Sequence, residues 1–378
     1  MSTRATATIS TISSPCVLSE HPFRDRLLAD LFAAYYVARV NKRNTYSQMR
    51  FERNLSENIV ELYREIITHH YKIGRSICFI IFKPVKREVF AASFRDRIVH
   101  HLLYQYLLPI FEPQFIYDSY SCRVGKGTLF GIGRLEHHIR SVSDNYRKKC
   151  WVLKLDLSGY FMSIDRQRLY DIIMMELHRQ KLDCASRREE YLTMAYLLKL
   201  VIFNDPTQGC YVKGSRSDWN DLPATKSLFH TREGCGLPIG NLTSQLFSNI
   251  YLNGLDQFVK RELKCRHYGR YVDDFYFVDT DRQRLLSYIP RVSDYLENNL
   301  FLHLHPKKVF LQTQDKGVPF LGCVLKNGNR YISSRGKRLM MEHFADAFIN
   351  EDNPYQIMAL VNAYQGYLSK LDGIECPV

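Results

Sequence analysis

Tyr271-Val272-Asp273-Asp274 lies between two short β-rich runs, Arg266–Val272 and Phe275–Val278, and is the stretch that most restricts what this chain can fold into. The flanks are aromatic and β-branched without proline, which predicts a tight hairpin with the two acids at its bend. Placing two carboxylates side by side on a half-buried hairpin is costly, because like charges this close resist joint ionisation. A divalent cation removes that cost, and Mg²⁺ usually takes only one or two carboxylates plus substrate phosphates. The hairpin thus points to metal-dependent phosphoryl chemistry, although Asp-Asp is also ordinary turn chemistry.

The charge balance points to a polyanionic partner: 52 basic against 39 acidic residues give +13. At 378 residues the chain is long enough for two or three subdomains around a sizeable core. No apolar run approaches the roughly 20 residues of a membrane span, and Met1–Ser14 lacks the apolar core of a signal peptide. It reads as a disordered tail, and the location expected is cytoplasmic. Ten cysteines without a CxxC pair exclude zinc knuckles and the usual disulfide scaffolds. The histidine doublets at 69–70, 100–101 and 137–138, and the later His303-x-His305, lack a third ligand at metal spacing.

Helical spacing marks Phe23–Val40, Phe51–His70, Phe94–Phe111, a segment ending near Ile139, Arg166–Leu200, Thr243–Leu263, Arg282–Asn299 and a last piece from Lys337 to about Leu371. Lys42, Arg43 and Arg50 lie in the first connection. Ile77–Phe82 reads as a strand leading through Lys83-Pro84-Val85-Lys86-Arg87 to a second one. Asn204–His230, with Pro206, Gly209, Gly214 and Pro223, reads as an extended loop insertion.

Trp151–Leu157 alternates cleanly, with Val152, Lys154 and Asp156 opposite the apolar side, and Ser158-Gly159 breaks the strand. Two-metal phosphoryl transfer needs carboxylates from separate elements that hold ions about 3.5–4 Å apart. Asp156 and Asp273 are the expected bridging ligands, with Asp274 an outer one; a strand-end acid capping the turn is the plainer reading of Asp156. Gly236-Leu237-Pro238-Ile239-Gly240-Asn241-Leu242-Thr243-Ser244-Gln245 combines glycines that let backbone approach a ligand with helix-capping residues, Asn241 or Thr243. That combination suits a platform under an incoming nucleotide and its templating base.

Lys154–Phe161, the Gly-Leu-Pro-Ile-Gly-Asn segment and Tyr-Val-Asp-Asp resemble motifs A, B and C of reverse transcriptases in order and spacing. Lys83–Arg97 and Asp118–Gly127 resemble the fingers motifs of bacterial and group II intron enzymes, Leu302–Lys308 looks like motif D, and Phe320-Leu321-Gly322 like motif E. The likeness covers about residues 35–370. It implies an α+β right-hand polymerase with fingers, palm and thumb, its palm of antiparallel strands backed by helices. The implied divisions are a tail (1–22), fingers (23–105), palm (106–165), helical fingers with the loop insertion (166–235), palm again (236–325) and a short thumb (326–378).

The resemblance also implies roles. Phe161 matches the steric gate against a ribose 2′-hydroxyl, Lys83 and Arg87 the basic pair on the dNTP triphosphate, and Lys308, or Lys307, the lysine near the leaving pyrophosphate. Gln245 would sit by the templating base. Two Mg²⁺ per site are implied, with Mn²⁺ a substitute.

Ile239-Gly240-x-x-x-Ser244-Gln245, in place of the more usual Ser-Pro, is the pattern of reverse transcriptases from diversity-generating retroelements, and Pro223–Phe229 is similar to that group as well. Such enzymes copy a template-repeat RNA, misincorporate opposite adenine, and work with a small basic helical accessory protein that forms a ring. Ile239, Gly240 and Ser244 are then the residues expected to govern fidelity on the template. A phage-defence enzyme of the same fold and an inactive RNA-binding scaffold are the alternatives. Template RNA, the RNA–DNA duplex and dNTPs are the expected partners, and no membrane.

Overall fold

A computed structural model describes residues 22–40, 44–83, 85–349 and 353–369. The expected tail lies outside the described residues apart from Pro22, as do Lys42, Arg43 and Pro84.

The described residues begin with three helices, α1 (Pro22–Arg39), α2 (Tyr46–Glu52) and α3 (Leu55–Ile67). The single helix expected over 51–70 is therefore split. Asn54 leaves helical geometry, and the Asn58 side-chain amide donates to the Phe51 carbonyl at 2.7 Å, so the break is capped from within the next helix. Strands β1 (Ile77–Ile81) and β2 (Arg87–Ala91) form an antiparallel pair before α4 (Phe94–Phe111). Ser93 caps α4 by accepting from the Asp96 amide. The helix then buries Phe94, Ile98, Leu102, Leu103 and Leu107 in the main core.

Next come α5 (Thr128–Val142), β3 (Trp151–Leu155), the single turn α6 (Tyr160–Ser163), α7 (Arg166–Arg179) and α8 (Arg188–Phe203). The long helix expected over 166–200 is thus a hairpin of two. Lys181 adopts φ +54° at the reversal. Leu177, Leu197 and Leu198 all become buried in the same core, an outcome of packing that no helix breaker announces. The insertion supplies a two-residue strand, β4 (Tyr211–Val212), which pairs in parallel with β1.

The rest of the chain runs through α9 (Leu242–Arg261), β5 (Tyr268–Tyr271), β6 (Asp274–Asp279), α10 (Arg282–Tyr295) and β7 (Phe310–Thr313). Three short strands follow, β8 (Val318–Phe320), β9 (Cys323–Lys326) and β10 (Asn329–Ile332), and then α11 (Ser334–Ile349) and α12 (Pro354–Leu368). The divisions expected at 105 and 325 fall inside α4 and β9.

The palm sheet is antiparallel throughout, in the order β5-β6-β3-β7. Its two faces bury different cores, as the period of two dictates. Leu153, Leu155, Phe275 and Phe277 pack on the helical side with α9 and α4. Val152, Tyr276 and Val278 face the other way, onto Tyr120 and onto Phe320, Cys323 and Leu325 of the β8–β10 sheet. A sheet buried on both faces holds its strand ends rigidly, and those ends carry the acids. Every described cysteine is free. Among the described residues no helix is long and apolar enough to cross a membrane.

Candidate active site

Tyr271 pairs with Asp274, so Val272 and Asp273 form the two-residue turn of the β5–β6 hairpin. Val272 takes φ +54°, an uncommon conformation for a β-branched residue that persists only where surroundings enforce it. Here the surroundings are a buried ion pair. Arg270 donates to the Val272 carbonyl at 3.0 Å and to the Asp256 carboxylate of α9 at 2.7 Å, with both side chains of the pair 0% exposed. Tyr268 also donates to Asp256 at 2.7 Å, and Arg270 reaches the Ser119 hydroxyl at 3.3 Å. Sequence reasoning passed over Arg270 and Asp256. The available signal was a charge interrupting an apolar pattern in each element.

Asp156 directly follows β3. The β3–β6 register sets Leu155 against Phe275, so one step further Asp156 faces Asp274. Side chains opposed in this way have Cβ atoms roughly 4.5–5.5 Å apart. The motif D segment runs beside Asp156: the His305 amide donates to the Asp156 carbonyl at 2.8 Å. Lys308 then reaches both Asp156 carboxylate oxygens at 3.0 Å. Of the two candidate lysines, it is Lys308 that touches the acid. Lys154, which the sequence reading left without a role, lies 3.3 Å from Asp274 and over the Phe320 ring.

Burial, and after it the charge of Asp156, push the Asp273 carboxyl up to about 6. Burial raises Asp274 too, against the pull of Lys154. The site therefore concentrates more negative charge than its two lysines relieve. Among the described residues no three His, Cys, Asp or Glu side chains are arranged to hold a metal on their own. An all-oxygen set with surplus negative charge nonetheless fits a hard divalent ion, which completes its shell from substrate and water. Asp156, Asp273 and Asp274 are the residues that would hold it.

Gly159 opens α6 at φ +52° and Phe161 lies within that turn, half-buried, its carbonyl accepting from the Leu237 amide at 2.8 Å. The motif B loop docks onto β2. The Phe90 amide donates to the Ile239 carbonyl at 2.8 Å, and a Cβ on Gly240, at φ +124°, would stand 2.8 Å from the Phe90 carbonyl. Neither Asn241 nor Thr243 caps α9: the Asn241 side chain accepts from the Ala92 amide and the Thr243 hydroxyl meets His100 at 2.7 Å. Ser244 is buried and Gln245 exposed. Arg87 is exposed, and Lys83 is ion-paired with Asp346 of α11, linking the β1–β2 hairpin to the C-terminal helices.

Because the Gly240 position is both left-handed and crowded against backbone, Gly240→Ala is expected to cost about 1–3 kcal/mol. Urea unfolding measures that loss, and primer extension should fall with it.

A four-stranded antiparallel palm with acids at one strand end and at the adjoining hairpin turn, backed by α4 and α9 on one face and by the β8–β10 sheet on the other, has the architecture of a right-hand nucleic-acid polymerase. Residues 86–325, well over half of the chain, match the family described as reverse transcriptase (RNA-dependent DNA polymerase), and the chain belongs to it. The family's members are nucleotidyltransferases. The chain is also similar to the uncharacterized 91 kDa protein in the cob intron of Schizosaccharomyces pombe, at 22% identity over 187 residues. That match takes in 50% of this chain and 19% of the relative, so the chain spans about a fifth of the relative's length. A structure of telomerase from Candida albicans with a fragment of telomeric RNA aligns at 13% identity and a TM-score of 0.46, over 76% of this chain and 50% of that one.

Proposed function

We propose that this chain extends a primer on an RNA template by nucleotidyl transfer from dNTPs. The observation that carries the proposal is the convergence of three acids: Asp156 follows β3 directly, Asp274 opens the paired strand β6, and the charge of Asp156 acts on Asp274 and on Asp273, whose carboxyl is pushed up to about 6. The primer 3′-hydroxyl loses its proton to water and its oxygen attacks the α-phosphorus of the dNTP; the new bond to phosphorus forms as the bond to the β-phosphate oxygen breaks, and pyrophosphate leaves. Divalent ions, Mg²⁺ or Mn²⁺, held by Asp156 and Asp273 with Asp274 outside them, would acidify the 3′-hydroxyl and neutralise the leaving charge. Lys308, already on Asp156, is positioned to take up charge on the pyrophosphate as the dNTP arrives. Phe161, in the turn that follows Asp156, is then the gate against a 2′-hydroxyl that its motif implies. Phe161→Ala is expected to raise ribonucleotide incorporation relative to deoxynucleotide by about 10–200-fold, the scale on which a pocket's shape discriminates.

The finer reading is a diversity-generating retroelement enzyme that copies a template-repeat RNA for mutagenic retrohoming, aided by a small basic ring-forming accessory protein. The Ile239–Gln245 pattern supports it. Copying a synthetic RNA that contains all four bases and sequencing the cDNA tests it. Errors concentrated opposite adenine, and altered by substitution of Ile239, are expected. Errors spread evenly over the four bases, or adenine errors untouched by Ile239 variants, contradict it.

A further inference from the structure

Glu88 is a deeply buried carboxylate that the proposed chemistry leaves unused. It lies on β2 at 1% exposure, and its oxygens accept from three neutral donors. These are the Leu228 amide at 2.6 Å, the Trp219 indole at 2.7 Å and the Ser227 hydroxyl at 2.8 Å, all from the 204–230 insertion. Burying a carboxylate is expensive unless such bonds satisfy it. Glu88 is therefore a strong and geometrically demanding anchor for that segment.

The anchored segment reaches the nucleotide-selecting residues by two routes. In the first, the Thr225 carbonyl stands 3.0 Å from where a Cβ on Gly159 would be, so the insertion lies close against the turn that carries Phe161. In the second, buried Leu228 shares a small core with Cys78, Phe90 and Met162, and Phe161, Trp219 and Ile239 pack on its margin. Strand β2 joins these routes. Glu88 holds the insertion by its side chain, and two residues on, Phe90 holds the Ile239 carbonyl by its amide. A core of four buried side chains has no redundancy, so a shift of Leu228 or Trp219 is passed to Phe161 and Ile239.

We propose that the 204–230 insertion is the outer wall of the nucleotide pocket and that Glu88 is a positioning residue, setting sugar and base-pair selection through Phe161 and Ile239. This rests on the polymerase reading above. It adds a determinant of selectivity that makes no contact of its own with the reacting atoms.

Single-nucleotide extension on an RNA–DNA duplex with Mg²⁺ tests the inference, comparing dNTP with rNTP insertion and matched with mismatched dNTP insertion opposite adenine. The wild-type arm comes first; absence of extension there overturns the polymerase reading, and this inference with it. Given extension, Glu88→Gln is expected to lower the dNTP/rNTP preference about tenfold while matched dNTP insertion stays within about threefold, and to change mismatch insertion opposite adenine. Trp219→Phe with Ser227→Ala leaves Glu88 only the Leu228 amide and should fall between Glu88→Gln and wild type; it carries the test if Glu88→Gln does not fold. Because Glu88 acts on the sugar through Phe161, adding Glu88→Gln to Phe161→Ala should lower that preference no further, a non-additivity typical of residues acting as one unit. Preferences within about twofold of wild type, or losses that simply add, overturn the inference.

Discussion

Asp273→Asn is expected to abolish DNA synthesis while making the metal-free protein more stable at neutral pH. The loss of activity follows from removing a proposed ligand for ions that would supply several kcal/mol of transition-state charge stabilisation, a fall of about a thousandfold or more. The gain in stability follows from the titration of the carboxyl. Its value in the fold is about 6 against an ordinary 3.8, so between those values the folded state binds more protons than the unfolded chain. Stability contributed by this group is therefore present at low pH and falls as pH rises through the window. Above about pH 6 the full cost remains, at most about 3 kcal/mol for a shift of roughly two units. Asparagine carries no such cost. The difference in melting midpoint between wild type and variant, followed without divalent ions from pH 4 to 7.5, cancels the titration of groups remote from Asp273. It should favour wild type least at the upper end. Added Mg²⁺ should stabilise wild type and leave the variant nearly unmoved.

The second large effect concerns the turn itself. Asp256→Asn is expected to destabilise the protein by about 3–5 kcal/mol, because it strands the Arg270 guanidinium in a site from which water is excluded. The same change loosens the hold of Arg270 on the Val272 carbonyl, so the acids lose their fixed direction and synthesis falls in the molecules that remain folded. Replacing both partners, Asp256→Leu with Arg270→Met, removes the stranded charge and should cost less than the single change. Urea denaturation of the three variants measures this directly. A loss below about 1 kcal/mol for Asp256→Asn would show that the pair does not secure the hairpin.

The β5–β6 hairpin, β3 and α4 were legible because their residues alternate or recur at helical spacing and meet turn or capping residues at their ends. The acids were legible for a similar reason, since Asp156 and Asp273-Asp274 stand where apolar strands stop. Arg270, Asp256 and Glu88 were not, because a charge inside an apolar pattern has no assigned partner until tertiary packing brings one. Asp256 meets Arg270 only once α9 lies beneath the sheet, and Glu88 meets Trp219 only once the insertion folds back over β2. Strand β4, at two residues, is too short to show a period. The split of 166–200 into α7 and α8 follows from the fit of two leucine faces and not from any proline or glycine. Lys83 shows the same limit. Its motif gave no sign of a partner in the C-terminal region, and in the folded chain its ammonium is paired with Asp346, 263 residues away.

Primer extension by the purified chain on an RNA template annealed to a DNA primer tests the central claim most directly, with Mg²⁺ or a chelator, and with wild type beside Asp273→Asn. The expected result is stepwise addition of dNTPs by wild type only when Mg²⁺ is present, and none by the variant. Extension by Asp273→Asn at the wild-type rate, or extension that survives chelation, would contradict the assignment of these acids as the centre of the reaction.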